Sequence, residues 1–81
     1  MRAIAWSDRA RTDIRNLDRE TAMRIFAALH RLAETGEGDV RKLAEESGEL
    51  HLRVGDWRVR FTDDSKKLNI HTVLHRKEAY R

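Results

Sequence analysis

Residues 50–61 constrain the chain more than any other stretch. Leu50-His51-Leu52-Arg53-Val54 and Trp57-Arg58-Val59-Arg60-Phe61 alternate apolar and polar on either side of Gly55-Asp56. Alternation of period two, with glycine at the first central position to supply a positive φ, predicts a β-hairpin closed by a type II′ turn. With that turn, Val54 faces Trp57, Leu52 faces Val59 and Leu50 faces Phe61 on one side of the ribbon. The other side then sets Arg53 against Arg58 and His51 against Arg60. Like charges directly opposite one another cost about a few tenths of a kcal/mol each. An anion seated on that face would account for the arrangement, and so would a plain solvated basic surface. The hairpin alone leaves both readings open.

Eighty-one residues allow one domain, 1–81, near the size at which a single core is only marginally sufficient. The chain has no cysteine and no metal-ligand spacing, so no disulfide, metal or cofactor is expected. Residues 1–6 lack the apolar run of a signal peptide, and no stretch is long enough to span a bilayer; a cytoplasmic protein is expected. The net charge of +3 hides an asymmetry: residues 1–50 hold nine Arg/Lys against ten Asp/Glu, while residues 51–81 hold eight against four. Acidic and basic residues are interleaved in the first half, as on solvated helix faces. The positive excess belongs to the strands and points to a phosphate-rich partner or an acidic protein.

In chain order, residues 2–6 read as a short strand. Ser7 or Asp8 caps a helix to about residue 17, with Ala10, Ile14 and Leu17 on one face. Asp18 caps a second helix over 19–35, where Ala22, Ile25, Phe26, Leu29, Leu32 and Ala33 form the apolar stripe and Gly36 ends it. The tight joint predicts a helical hairpin whose shared apolar face needs a sheet. Residues 37–48 read as a connection with one helical turn around 40–44, pinned by Val40 and Leu43. After the central hairpin come a polar turn at 63–67 and a last strand over 68–74. Strict alternation places Leu68, Ile70, Thr72 and Leu74 on the helix-packed side, and Asn69, His71, Val73 and His75 beside Arg53 and Arg58. The expected fold is α+β: one strand, a helical hairpin, then a three-stranded antiparallel meander. Both helices lie on one face, and the opposite face is open and basic. Trp6 and Trp57 read as core residues, and His30 as surface.

The order of these elements carries a resemblance. Three runs sustain it: Leu-Arg-Val-Gly-Asp-Trp-Arg-Val-Arg-Phe at 52–61, Gly-Asp-Val-Arg-Lys-Leu at 38–43, and His-Arg-Lys-Glu-Ala-Tyr-Arg at 75–81. Together they make the chain similar, over nearly its whole length, to the RelE/ParE superfamily of bacterial toxins from type II toxin–antitoxin pairs. The resemblance implies a compact toxin neutralised by a cognate antitoxin in a hetero-oligomer, with no membrane partner. The RelE branch cleaves mRNA in the ribosomal A site, whereas the ParE branch inhibits DNA gyrase. A toxin-like protein that mainly holds its antitoxin is a third outcome.

Carried over residue by residue, the resemblance matches the phosphate-contacting arginine after the turn to Arg58, the arginine after the last strand to Arg76, and the tail tyrosine to Tyr80. Lysines that well-known members carry on the strand before the turn are replaced here by His51 and Arg53. The chemistry implied is ribonuclease-like and independent of metal. A base takes the 2′-hydroxyl proton, cations stabilise charge on the phosphate, and an acid protonates the leaving 5′-oxygen. Arginine suits the middle role because its planar fork binds phosphate in bidentate fashion. For proton transfer His51 and His75 are the candidates, since histidine titrates near neutrality. Arg53, Arg60, Lys77 and Arg81 are expected to support phosphate or RNA binding, and Tyr80 to stack on a base or orient the 2′-hydroxyl. The expected antitoxin segment is amphipathic, partly acidic and disordered until bound.

Overall fold

In the computed structural model, which describes residues 1–43 and 48–79, the hairpin joins β3 (Leu50–Val54) to β4 (Trp57–Asp63). Its pairs are those that alternation predicts: Val54 with Trp57, Arg53 with Arg58, Leu52 with Val59, His51 with Arg60 and Leu50 with Phe61. Gly55 has φ 59° and Asp56 has no positive φ, the combination that defines a type II′ turn.

Strand β1 (Ala3–Trp6) precedes α1 (Asp8–Arg15) and α2 (Arg19–Thr35). Ser7 Oγ accepts the Ala10 N–H at 3.0 Å and Asp18 Oδ2 accepts the Thr21 N–H at 3.1 Å, so each helix begins on a side-chain cap. Gly36, at φ 77°, ends α2 in the left-handed conformation and donates to the Leu32 carbonyl at 2.9 Å. Ile25, Leu29, Leu32 and Ala33 of α2 and Ala10 of α1 pack on Leu52, Val59, Phe61, Leu68, Ile70 and Val73 of the sheet. Each fully buried Leu, Ile or Phe contributes about 1.5–3 kcal/mol. Phe26 falls outside this core. It stands about 100° around the helix from Ile25, is 40% exposed, and meets Trp6 edge-on at 5.5 Å.

Two elements are additional to those expected. Val40–Lys42 forms strand β2 rather than a helical turn and pairs antiparallel with β3, Val40 opposite Leu52 and Arg41 opposite His51. Val40 does pack on the core, as expected; residue 44, the end of the expected turn, lies outside the described residues. Gly38 admits the chain to this edge, because a Cβ there would stand 3.0 Å from Leu52 Cδ1. The tail forms one helical turn, α3 (Arg76–Ala79). The sheet therefore has five strands in the order β1-β5-β4-β3-β2, with β5 spanning Lys67–His75. β1 runs parallel to β5 at one edge, and the other four form an antiparallel meander.

The alternation expected along β5 holds only to Ile70. Phe61 pairs with Ile70 but Arg60 pairs with Thr72, so His71 is an extra residue, a β-bulge that shifts the phase by one. Val73 consequently faces the core with Val59, Leu74 lies beside Arg58, and His75 lies beside Trp57. The bulge falls where the neighbour at the sheet edge changes. β1 pairs with β5 as far as Trp6 with Ile70, and Ser7 N–H donates to the Ile70 carbonyl at 2.9 Å. Beyond that point α1 takes over: Ser7 Oγ donates to the His71 carbonyl at 2.8 Å, and Asp13 Oδ2 accepts the Val73 N–H at 2.9 Å.

Val73 is only 3% exposed, so losing its acceptor leaves a buried donor unpaired. Asp13→Ala is expected to lower unfolding free energy by about 1–3 kcal/mol, and Asp13→Asn, which keeps an acceptor, by less. Urea unfolding of the two variants beside the native chain checks this; equal losses would show that the hydrogen bond is not the source.

Candidate functional site

On the face turned away from α1 and α2, neighbouring strands present Arg41, His51, Arg60 and Thr72 in one row across β2, β3, β4 and β5. A second row carries Arg53, Arg58 and Leu74. Strand spacing sets successive members about 4.8 Å apart at the backbone. Four guanidiniums thus share a small area. Asp39 beside β2 and Asp56 in the hairpin turn border it.

Arg58 is 5% exposed and is fixed by its own turn, its Nη1 donating to the Gly55 carbonyl at 2.8 Å and the Trp57 carbonyl at 2.9 Å. Arg60 donates through Nη2 to the Ala79 carbonyl, which brings α3 over this face. The start of α3 is tied to the turn, where Arg76 N–H donates to the Asp56 carbonyl at 2.7 Å and Arg76 Nε lies 3.7 Å from Asp56 Oδ1. The face expected to be open is therefore partly roofed by the tail. Beneath it Arg58 Nε, Arg60 Nε and Thr72 Oγ1 are buried without a hydrogen-bond partner among the described residues. Buried donors are nearly always paired in folded proteins, so three orphans on one face mark a place suited to an acceptor-rich ligand. His51, 2% exposed, has its pKa held below the ordinary 6.5, first by burial and then by Arg58, Arg53 and Arg60. Both causes favour the neutral imidazole, against the weaker opposing pull of Asp39.

A family model describing the ParE toxin of the type II toxin–antitoxin system parDE matches residues 4–80. The chain belongs to this toxin family. Its fold is shared by solved toxins of low sequence identity. The RelB–RelE antitoxin–toxin complex from Methanococcus jannaschii superposes with a TM-score of 0.77 at 17% identity, covering 94% of each chain. The YoeB–YefM complex from Staphylococcus aureus gives 0.74 at 20% identity, covering 93% of this chain and 97% of the other. The chromosomal ParDE system of P. aeruginosa gives 0.67 at 15% identity, covering 93% and 96%. No curated protein matches the chain in sequence.

Of the toxin's expected site residues, the structure gathers His51, Arg53, Arg58 and Arg60 on one face and Arg76 at the adjoining turn. His75 is not among them. The bulge turns it to the opposite face, where its ring stands edge-on to Trp57 at 5.3 Å and its Nδ1 accepts the Lys77 N–H at 3.3 Å. His71 stays near the basic face, with Nε2 3.0 Å from Thr62 Oγ1. Lys77 is exposed on α3. Tyr80 and Arg81 lie outside the described residues. Arg41, absent from the expected set, joins the row because residues 40–42 pair as a strand. Its only sequence signal was the alternation of Asp39-Val40-Arg41, too short to separate strand from turn. Among the described residues, no three His, Asp or Glu side chains gather as a metal site, and no helix is long and apolar enough to cross a membrane.

A lowered histidine pKa links folding to protons. Below pH 6.5 the unfolded chain protonates His51 while the folded toxin resists it, so stability present above 6.5 falls as pH drops through the interval down to the folded pKa. Asp18 and Asp64, whose pKa values are also lowered, act only near and below 3.8. Thermal melts from pH 7.5 to 5 are expected to show a decline that His51→Gln flattens. An unchanged slope in that variant would remove His51 as its source.

Proposed function

We propose that this toxin is a ribosome-dependent mRNA endonuclease that needs no metal, the activity implied by its resemblance to the RelE branch. The observation that carries the reading is the buried imidazole of His51, set beside Arg60 and one pleat from the Arg53–Arg58 pair, where burial and the guanidiniums hold its pKa below 6.5. A neutral imidazole can accept the 2′-hydroxyl proton, and its cationic neighbours can hold the phosphate being attacked. As the 2′-oxygen attacks phosphorus, negative charge grows on the non-bridging oxygens. Arg58, anchored to the Gly55 and Trp57 carbonyls, presents a positioned cation to that charge, and Arg76 adds a second from the turn. An acid then returns a proton to the leaving 5′-oxygen. The single turn of α3 has to lift from Arg60 before a strand of RNA can occupy the face.

The partner under this reading is a cognate antitoxin, as in the RelB–RelE and YoeB–YefM complexes whose fold the toxin shares. An amphipathic, partly acidic antitoxin segment suits both the cationic face and the side of α2, where Met23 and Phe26 are 56% and 40% exposed. A second reading, inhibition of DNA gyrase, is favoured by the family model, which describes a ParE toxin.

Inducing the toxin alone in a bacterial host and mapping mRNA 5′ ends on translating ribosomes separates the two. Growth arrest with new ends in the A-site codon is expected, with cleavage reduced about 10²-fold or more by Arg58→Ala and Arg76→Ala together. Arrest with intact mRNA and DNA-damage signalling would move the function to gyrase. Normal growth would leave the toxin as mainly an antitoxin-binding protein.

A further inference from the structure

We infer that the RNA-binding surface of this toxin extends to the sheet edge, where Arg41 of β2 binds a backbone phosphate of the same single strand that Arg58 engages. The inference rests on the ribonuclease reading and adds a residue that the resemblance does not supply.

Register carries it. Arg41 stands directly opposite His51, which stands directly opposite Arg60. Two strand spacings, about 10 Å at the backbone, therefore separate the guanidinium-bearing strands β2 and β4 with the imidazole between them. A strand of RNA crossing His51 along this row passes from one arginine to the other.

The local chemistry is consistent with a phosphate at that end. Asp39 Oδ1 lies 3.1 Å from Arg41 Nε, and Asp39 Oδ2 lies 3.8 Å from Arg53 Nε. One carboxylate between two guanidiniums leaves the trio with a net positive charge. Because Asp39 meets both at Nε, it steers their stems while the Nη1–Nη2 end of Arg41 remains available for end-on binding of phosphate oxygens. The Arg41 side chain is well exposed, so a ligand reaches it without any movement of α3. The Arg53 N–H donates to the Asp39 carbonyl at 2.9 Å, which ties this corner to the hairpin that holds Arg58. A competing role exists for Arg41, since cations on an edge strand discourage pairing with other chains. That role predicts no effect on RNA affinity.

The test uses the purified toxin and a labelled single-stranded 12-nucleotide RNA carrying 2′-O-methyl groups throughout, so that binding is read without cleavage, by anisotropy over a range of KCl concentrations. Arg41→Ala is expected to weaken binding several-fold at fixed salt and to reduce the slope of log K against log salt by about 0.7, the value for one phosphate contact on a single strand. Arg41→Lys should retain most of that slope, and the thermal melt of each variant should match the native toxin. The same loss is expected when Arg41→Ala is made in an Asp39→Ala background. If the loss disappears there, Arg41 acts only by restraining Asp39 and the inference is overturned. Unchanged affinity and slope in Arg41→Ala, alongside weakened binding in Arg58→Ala, would overturn this inference and leave the ribonuclease reading standing. Unchanged binding in both variants would overturn the two together.

Discussion

Beyond Ile70, strand β5 loses β1 as its neighbour, and its outward-facing backbone groups are taken instead by two side chains of the α1 segment, its N-cap Ser7 and Asp13 in its last turn. Ser7 Oγ donates to the His71 carbonyl and Asp13 Oδ2 accepts the Val73 N–H. A strand with one edge held by side chains need not keep the ladder's register, and here it accommodates one extra residue. A shift of one residue reverses the face of every side chain that follows. Val73 then completes the core, Leu74 enters the basic face, His75 turns to Trp57, and the chain reaches the hairpin turn with Arg76 placed against Asp56. What β5 contributes to the candidate site is thus held in place by two hydrogen bonds made at the sheet edge away from the hairpin.

The same face illustrates a tension between stability and function. Setting Arg53 opposite Arg58, and His51 between Arg41 and Arg60, works against folding through charge repulsion. The fold limits the cost in three ways. Arg58 turns its guanidinium onto the carbonyls of its own turn, Arg60 donates to the end of α3, and Asp39 lies between Arg41 and Arg53. His51 contributes by giving up its charge. None of these devices cancels the excess of cations. The result is a concentrated positive surface backed by an apolar core that needs no contribution from it, an arrangement suited to a phosphate-rich ligand.

Much of the architecture was legible in the sequence because its determinants are local. The hairpin register follows from Gly55-Asp56 and alternation within twelve residues, and the structure reproduces all five pairs. Ser7, Asp18 and Gly36 bound the helices through contacts three or four residues away. Arg53, Arg58, Arg60 and His51 could therefore be assigned to one face before any tertiary contact was known. Three features escaped. Three residues at 40–42 carry too little periodicity to declare a strand, and with them Arg41 was missed. The tail shows no pattern that betrays Ala79 as buried. The bulge did leave a mark, the succession of two polar residues at His71-Thr72 followed by Val73-Leu74, but strict period-two alternation carried through it misplaces every residue from Thr72 on.

What the sequence determined by itself was the set of elements whose stabilising contacts lie within a few residues: the central hairpin, the two capped helices, and the separation of apolar from cationic side chains along β3 and β4. What only the tertiary structure decided was how distant segments meet. Val40–Lys42 becomes a strand because Leu50–Val54 offers an unpaired edge. β5 is held in its shifted phase by Ser7 and Asp13, which the α1 segment presents where β1 ends. α3 settles on the basic face because the turn carbonyl of Asp56 and the guanidinium of Arg60 receive its two ends. Each depends on groups 8 to 64 residues apart, a pairing that short-range patterning does not specify.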